Sequence, residues 1–103
     1  ETVSGFAVQA VILTDAAGTS RRVALRLSWD ADIESEGIRW QVRYAGQTTV
    51  RARGATMDLE EGYIDETSGI LPGTSYEVRA QLISNRETAW TGWIGVAKYR
   101  VIA

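Results

Sequence analysis

The sequence contains no cysteine and no histidine. Without cysteine there is no disulfide framework, no thiolate metal site and no cysteine nucleophile, and the redox compartment stays open. Without histidine the commonest metal ligand is gone, together with the one side chain that titrates unperturbed near neutral pH. The many Ser and Thr hydroxyls then lack a conventional base to activate them, and no glycine-rich phosphate loop is present. Basic charge is also scarce: 11 Lys and Arg against 13 Asp and Glu leave a net charge of −2. Nucleic-acid affinity comes largely from clustered Lys and Arg, so nucleic acid is not expected as a partner. No apolar run approaches the roughly 20 residues of a membrane span, and the opening "ETVSGFAVQA" lacks the charged and apolar regions of a signal peptide. The first residue is not methionine, from which we expect a domain excised from a larger protein. No cofactor and no metal site are expected, and the residue inventory argues against an independent enzyme.

What is present is ordinary globular composition, with 45% hydrophobic and 23% charged residues in a chain of 103. That length suits a single domain, residues 1–103, with one core. Four tryptophans supply large rings that can anchor a core with no disulfide to help it.

Alternation, the mark of half-buried strands, recurs along the chain, whereas helical periodicity never settles in. In "RRVALRLSWD", Val23, Leu25, Leu27 and Trp29 share one face, with Ala24, Arg26 and Ser28 on the other. In "GIRWQVRYAG", Ile38, Trp40, Val42 and Tyr44 alternate with Arg39, Gln41 and Arg43, and Ala45-Gly46 closes the run. In "SYEVRAQLIS", Tyr76, Val78, Ala80 and Leu82 alternate with Glu77, Arg79 and Gln81. Around these three, "GFAVQAVILT" reads as an opening strand, and Asp15 and Gly18 suit the tight turn that follows it. "QTTVRARG" reads as a short strand with Thr48, Val50 and Ala52 against Thr49, Arg51 and Arg53. Another short strand is expected around Tyr63 and Ile64, and "WTGWIGVAKYRVI" closes the set. Seven short strands with no helix between them predict an all-β, seven-stranded antiparallel β-sandwich, because sheets joined without crossover helices must be antiparallel.

The run Gly69-Ile70-x-Pro72-Gly73-Thr74-x-Tyr76-x-Val78 resembles the turn between the fifth and sixth strands of fibronectin type III domains, which are immunoglobulin-like sandwiches. That turn is built around a tyrosine corner. The resemblance implies that Pro72 fixes the turn, that Ile70 drops into the core, and that the Tyr76 hydroxyl reaches back to loop backbone. It also matches Trp29 to the family's buried tryptophan and Trp40 to its third-strand aromatic. Integrin-binding members carry Arg-Gly-Asp before the last strand; here that region reads "SNRETAWTGW", so that recognition mode has no support. The stretch from Leu71 to Val96, with Tyr76–Ala80 and Trp90–Trp93 as its marked positions, is similar to modules of phage tail-tip and host-specificity proteins. A Trp-x-x-Trp segment also occurs near the last strand of cytokine-receptor and bacterial surface modules.

Two acidic groups invite chemistry. Asp30, Asp32, Glu34 and Glu36 alternate in "DADIESEG", but calcium loops of the EF-hand kind place glycine sixth and glutamate twelfth, where Ser35 and Gln41 stand. A solvated loop between the second and third strands is the expectation, with a weak cation site as the alternative. Asp58, Glu60, Glu61, Asp65 and Glu66 include carboxylates enough for a glycosidase pair, yet a small sandwich seldom offers the cleft that sugar hydrolysis needs.

The constellation that stands out is Trp90 and Trp93 with the outward arginines Arg39, Arg43 and Arg79. In the expected fold guanidinium groups lie over indole faces in a ladder. Such a ladder either covers a sheet face and fixes the last strand or forms a partner-binding patch, since Trp and Arg dominate interface hot spots. The binding residues expected are Trp90, Trp93, Arg79 and Arg43. The function expected is a non-catalytic spacer and docking module of a phage tail or tail-like host-recognition protein, located on a virion tail or at a cell surface. Its expected partners are neighbouring domains of the same polypeptide, other tail or surface proteins, or a host-surface receptor or glycan. The alternative is an accessory adhesion or carbohydrate-binding module of a secreted bacterial enzyme or surface receptor, with exposed aromatics stacking on sugar rings.

Overall fold

The computed structural model describes residues 2–84 and 87–96. Its elements are β1 (Ala7–Thr14), β2 (Arg21–Ser28), β3 (Gly37–Tyr44), β4 (Val50–Thr56), β5 (Tyr63–Glu66), β6 (Tyr76–Ile83) and β7 (Ile94–Val96). Every pairing is antiparallel, in two sheets of order β1-β2-β5 and β4-β3-β6-β7. The all-β sandwich read from the alternation is the observed architecture.

The inward faces of β2, β3 and β6 are the predicted ones. Leu25, Leu27 and Trp29 from one sheet meet Ile38, Trp40, Val42, Tyr76, Val78, Ala80 and Leu82 from the other in a single core. One outward residue departs from the pattern: Ala24 is fully buried. Its methyl is too short to rise above larger cross-strand neighbours such as Val11, its partner in the register. The segments outside the strands add Val3, ahead of β1, and Leu59 and Ile70, between strands, as plugs. Trp29 is tied at both ends, its backbone N–H donating to Gly62 O and its Nε1–H to Leu59 O, each at 3.0 Å. Among the described residues no buried side-chain nitrogen or oxygen lacks a hydrogen-bond partner, as a packed interior requires.

The tyrosine corner forms as expected. The Tyr76 hydroxyl accepts from Leu71 N–H at 2.8 Å and donates to Gly69 O at 3.3 Å, with Ile70 buried between them. Gly73 turns the chain at φ 75°, a backbone region that other residues enter only with strain.

The β1–β2 turn also matches its expectation. The Asp15 carboxylate accepts from Thr19 N–H at 2.8 Å, from the Thr19 hydroxyl at 2.9 Å and from the Ser20 hydroxyl at 3.2 Å. The Thr19 bonds, first among these causes, hold the Asp15 carboxyl below the ordinary carboxylate range. A depressed folded-state pKa stabilises the fold above the unfolded-state value, and that contribution disappears as pH falls through the folded one. An NMR titration should therefore find Asp15 ionising below the ordinary carboxylate range. Thr19→Ala, which removes the hydroxyl bond and keeps the backbone one, should move it part of the way back towards the ordinary range; an unmoved midpoint would show that the hydroxyl does not control it.

β4 departs from its predicted span. The turn after β3 extends further, with Gln47 N–H on Tyr44 O and Gly46 at φ 78°, so Thr48 and Thr49 stay outside the strand and pairing runs on to Thr56. β7 is a three-residue strand. Of the predicted closing strand, Trp90–Trp93 lie before β7, and residues 97–103 fall outside the described residues.

The acidic run Asp30–Gly37 forms the connection between β2 and β3, as read. Asp30 is used locally, accepting the Ser4 hydroxyl at 2.7 Å. Nowhere among the described residues do three acids gather as a metal-binding group. In the second acidic group, Asp65 accepts from Arg26 Nε and Nη2, at 2.8 and 3.0 Å, and Glu66 accepts Trp40 Nε1–H at 2.9 Å. These two carboxylates serve the fold.

Candidate functional site

Antiparallel register sets up the outward face of the larger sheet. Arg39 stands opposite Gln81, Gln41 opposite Arg79, and Arg43 opposite Glu77. Each rung therefore carries one guanidinium and one side-chain acceptor, and the cation changes strand from rung to rung. Outward rungs lie about 7 Å apart, twice the rise per residue of a strand. That gap admits one aromatic ring in contact with a guanidinium on either side.

The two tryptophans fill those gaps. The Arg43 guanidinium carbon lies 3.8 Å from the Trp93 ring centre, and Arg79 lies 4.6 Å from Trp93 and 4.5 Å from Trp90. Arg39 lies 5.1 Å from Trp90. The order along the face is thus Arg43, Trp93, Arg79, Trp90, Arg39, with Arg79 in contact with both rings. Hydrogen bonds hold each cation in its plane. Arg79 donates through Nε and an Nη to Gln41 Oε1 at 2.9 and 2.7 Å, Arg39 makes the same fork on Gln81 Oε1, and Arg43 Nε meets Glu77 Oε1 at 3.0 Å. Guanidiniums fixed by acceptors on the neighbouring strand lose little further freedom on stacking, which is where Arg differs from Lys.

Both indoles reach one face because the segment that carries them is not a strand. In a regular strand residues 90 and 93, separated by an odd number, would point to opposite faces. Here the Thr91 N–H donates to Ala80 O at 2.8 Å, while the Ala80 N–H goes to the Thr91 hydroxyl at 3.1 Å. A side-chain oxygen takes the donor that a partner carbonyl would take in a ladder, so pairing lapses until Ile94. Thr88 secures the upstream end, its hydroxyl donating to Leu82 O at 3.0 Å and its carbonyl accepting Gln81 Nε2–H at 3.2 Å.

The structure brings all four predicted residues, Trp90, Trp93, Arg79 and Arg43, into one row with Arg39. Arg43, Arg79 and both indoles are half-buried, and Arg39 is exposed. Residue typing alone misses Gln41, Gln81 and Glu77, the acceptors that orient the cations; the sign that could have found them is the complementary Arg/Gln alternation of two strands that pair. It also misses an open groove of about 340 Å³ beside Trp90, bounded by Arg39, Gln41, Arg53 and Ala55.

Charge is distributed unevenly. Strands β3, β4 and β6 carry five arginines (Arg39, Arg43, Arg51, Arg53, Arg79) and one acid, Glu77, a balance of 5 − 1 = +4 on a chain whose net charge is −2. Most of the remaining acids sit in loops, with Asp65 and Glu66 on β5. A comparison with known protein families finds no model that matches this chain, and no curated protein matches it.

Proposed function

We propose that the chain is a non-catalytic spacer and docking module of the fibronectin type III kind, carried by a larger phage-tail or tail-like host-recognition protein. The observation that carries the docking role is the interleaved row of Arg43, Trp93, Arg79, Trp90 and Arg39, half-buried except at Arg39 and pre-ordered by Gln41, Gln81 and Glu77. Rigid indole and guanidinium groups lose little entropy on contact with a partner, and they are the residue types that carry interface energy. The sandwich kind is supported by the tyrosine corner and by a three-plus-four sheet division. Support for the tail context is the likeness of the Tyr76–Ala80 and Trp90–Trp93 segments to tail-tip modules.

The alternative of a sugar-stacking module fits the site less well. Trp90 and Trp93 already hold guanidiniums against their rings, so a pyranose would have to displace them.

The test is retention of the immobilised protein's partners: neighbouring domains of its own polypeptide in one channel, bacterial surface glycans in another. We expect the neighbours to bind, and Trp93→Ala to weaken them about tenfold or more. That substitution should lower stability by only about 1–2 kcal/mol, two cation–π contacts at roughly 0.5–1 each. Unimpaired neighbour binding by a destabilised Trp93→Ala would make the row a structural cover. Glycan retention would favour the carbohydrate-binding alternative.

A further inference from the structure

Of the five arginines on the larger sheet, four have side-chain hydrogen-bond partners: Arg39 on Gln81, Arg43 on Glu77, Arg51 on Gln47 and Arg79 on Gln41. Among the described residues Arg53 has none, and it is exposed. It stands on β4, which pairs on one side with β3 and, among the described residues, with nothing on the other. A strand of seven residues thus presents a row of free backbone donors and acceptors, the feature that invites an added strand. The groove of about 340 Å³ opens beside it, between Arg53, Ala55, Arg39 and Trp90.

The charge on this edge selects what can pair there. Two copies of β4 side by side would bring Arg51 and Arg53 against the same residues of the other copy, and like charges across a pair of strands repel. An acidic strand meets the opposite situation. A sugar has less to gain, because the indole next to the groove is in contact with Arg39 and Arg79, while the groove's unsatisfied group is a cation beside open peptide backbone.

We infer that the free edge of β4 and its adjoining groove form a docking site for an acidic peptide segment in extended conformation, carrying carboxylates at alternate positions. Its backbone continues the sheet beyond β4. One outward carboxylate takes the Arg53 guanidinium in a charge-assisted hydrogen bond. The next outward side chain passes over the short Ala55 methyl into the groove in front of Arg39, which stands opposite Ala55 in the register. This inference rests on the docking role proposed above and names the partner chemistry of one part of that surface.

The probe is a synthetic ten-residue peptide of alternating Glu and Thr, titrated into the isotope-labelled protein and followed by backbone amide NMR. Saturable shifts are expected along residues 50–56 and at Arg39 and Gln41, with slowed amide exchange on the outer edge of β4. Arg53→Gln should weaken binding about tenfold, the size of one charge-assisted hydrogen bond, at unchanged melting temperature. The matching Gln–Thr peptide should bind more weakly still. Shifts that leave β4 silent, or affinity untouched by Arg53→Gln, would overturn the inference. So would a galacturonate oligomer that displaces the peptide from the same amides at equal affinity. Neighbouring domains that depend on Trp93 while the acidic peptide fails would sink this inference alone; failure of both would sink the docking role as well.

Discussion

Replacing Tyr76 by alanine is expected to destabilise the protein by about 3–5 kcal/mol, the usual loss for a large buried aromatic, and replacement by phenylalanine by about 1–2 kcal/mol. The two numbers separate the ring from the hydroxyl. The ring is 2% exposed and packs 5.6 Å from Tyr44, so alanine opens a void between the sheets. Phenylalanine keeps that packing and removes only the oxygen, which leaves Leu71 N–H and Gly69 C=O without the partner that holds the loop in place. Leu71 is 53% exposed, so water recovers part of the loss and the phenylalanine cost falls in the lower part of the range for an unmade bond. Urea unfolding should show the midpoint moving at constant slope, since neither change alters the surface exposed on unfolding much. Amide exchange at Leu71 should quicken in the phenylalanine variant while exchange in β3 stays slow. A phenylalanine variant as stable as the parent would mean that Pro72 and Gly73 shape the turn without the hydroxyl.

How much of this was legible depended on whether one strand's own pattern carried the answer. Alternation in β2, β3 and β6 named the buried faces correctly because each of these strands is paired on both sides and half-buried, so period two is imposed along most of its length, small residues such as Ala24 excepted. β4 lies at an edge and was misplaced by a few residues at each end; its inner positions are only half-buried, which leaves the register to the turn before it. The arginine and tryptophan residues of the row were legible as types, since outward Arg on adjacent strands and two nearby indoles are visible in one dimension. Their interleaving was not, because it depends on a departure from strand geometry at Thr91, where a hydroxyl replaces a carbonyl. Charge misled in a different way. A net charge of −2 averages acidic loops with a sheet at +4, and only the fold sorts the two. Arg53 became conspicuous only once the partners of the other arginines on its sheet were known.

Gly54→Val is the substitution for which local propensity and packing give opposite answers. Valine is among the best strand formers and glycine among the worst, and Gly54 has ordinary strand pairing with Trp40 across from it. On propensity alone the change stabilises. Yet a Cβ on Gly54 would stand 2.6 Å from Trp40 Cζ2 and 2.8 Å from Cε2, well inside contact distance. The glycine is the floor on which the indole lies, where the ring reaches past β4 to the other sheet. The ring has little room to yield: it is 3% exposed, and its Nε1–H is committed to Glu66 at 2.9 Å. Over-packing costs about 1–3 kcal/mol, and breaking the Trp40–Glu66 bond adds about 1–3 kcal/mol. A total of about 2–6 kcal/mol is a large fraction of the 5–15 kcal/mol typical of a whole domain. The decisive measurement is a double-mutant cycle with Trp40→Phe, whose smaller ring lacks the atoms that clash. Gly54→Val should cost at least about 1 kcal/mol less in the Trp40→Phe background than in the parent, a coupling expected only of residues in contact. Additive losses, or a Gly54→Val protein as stable as the parent, would show that the indole rests elsewhere and that the passage from β3 across β4 to Glu66 is not what positions it.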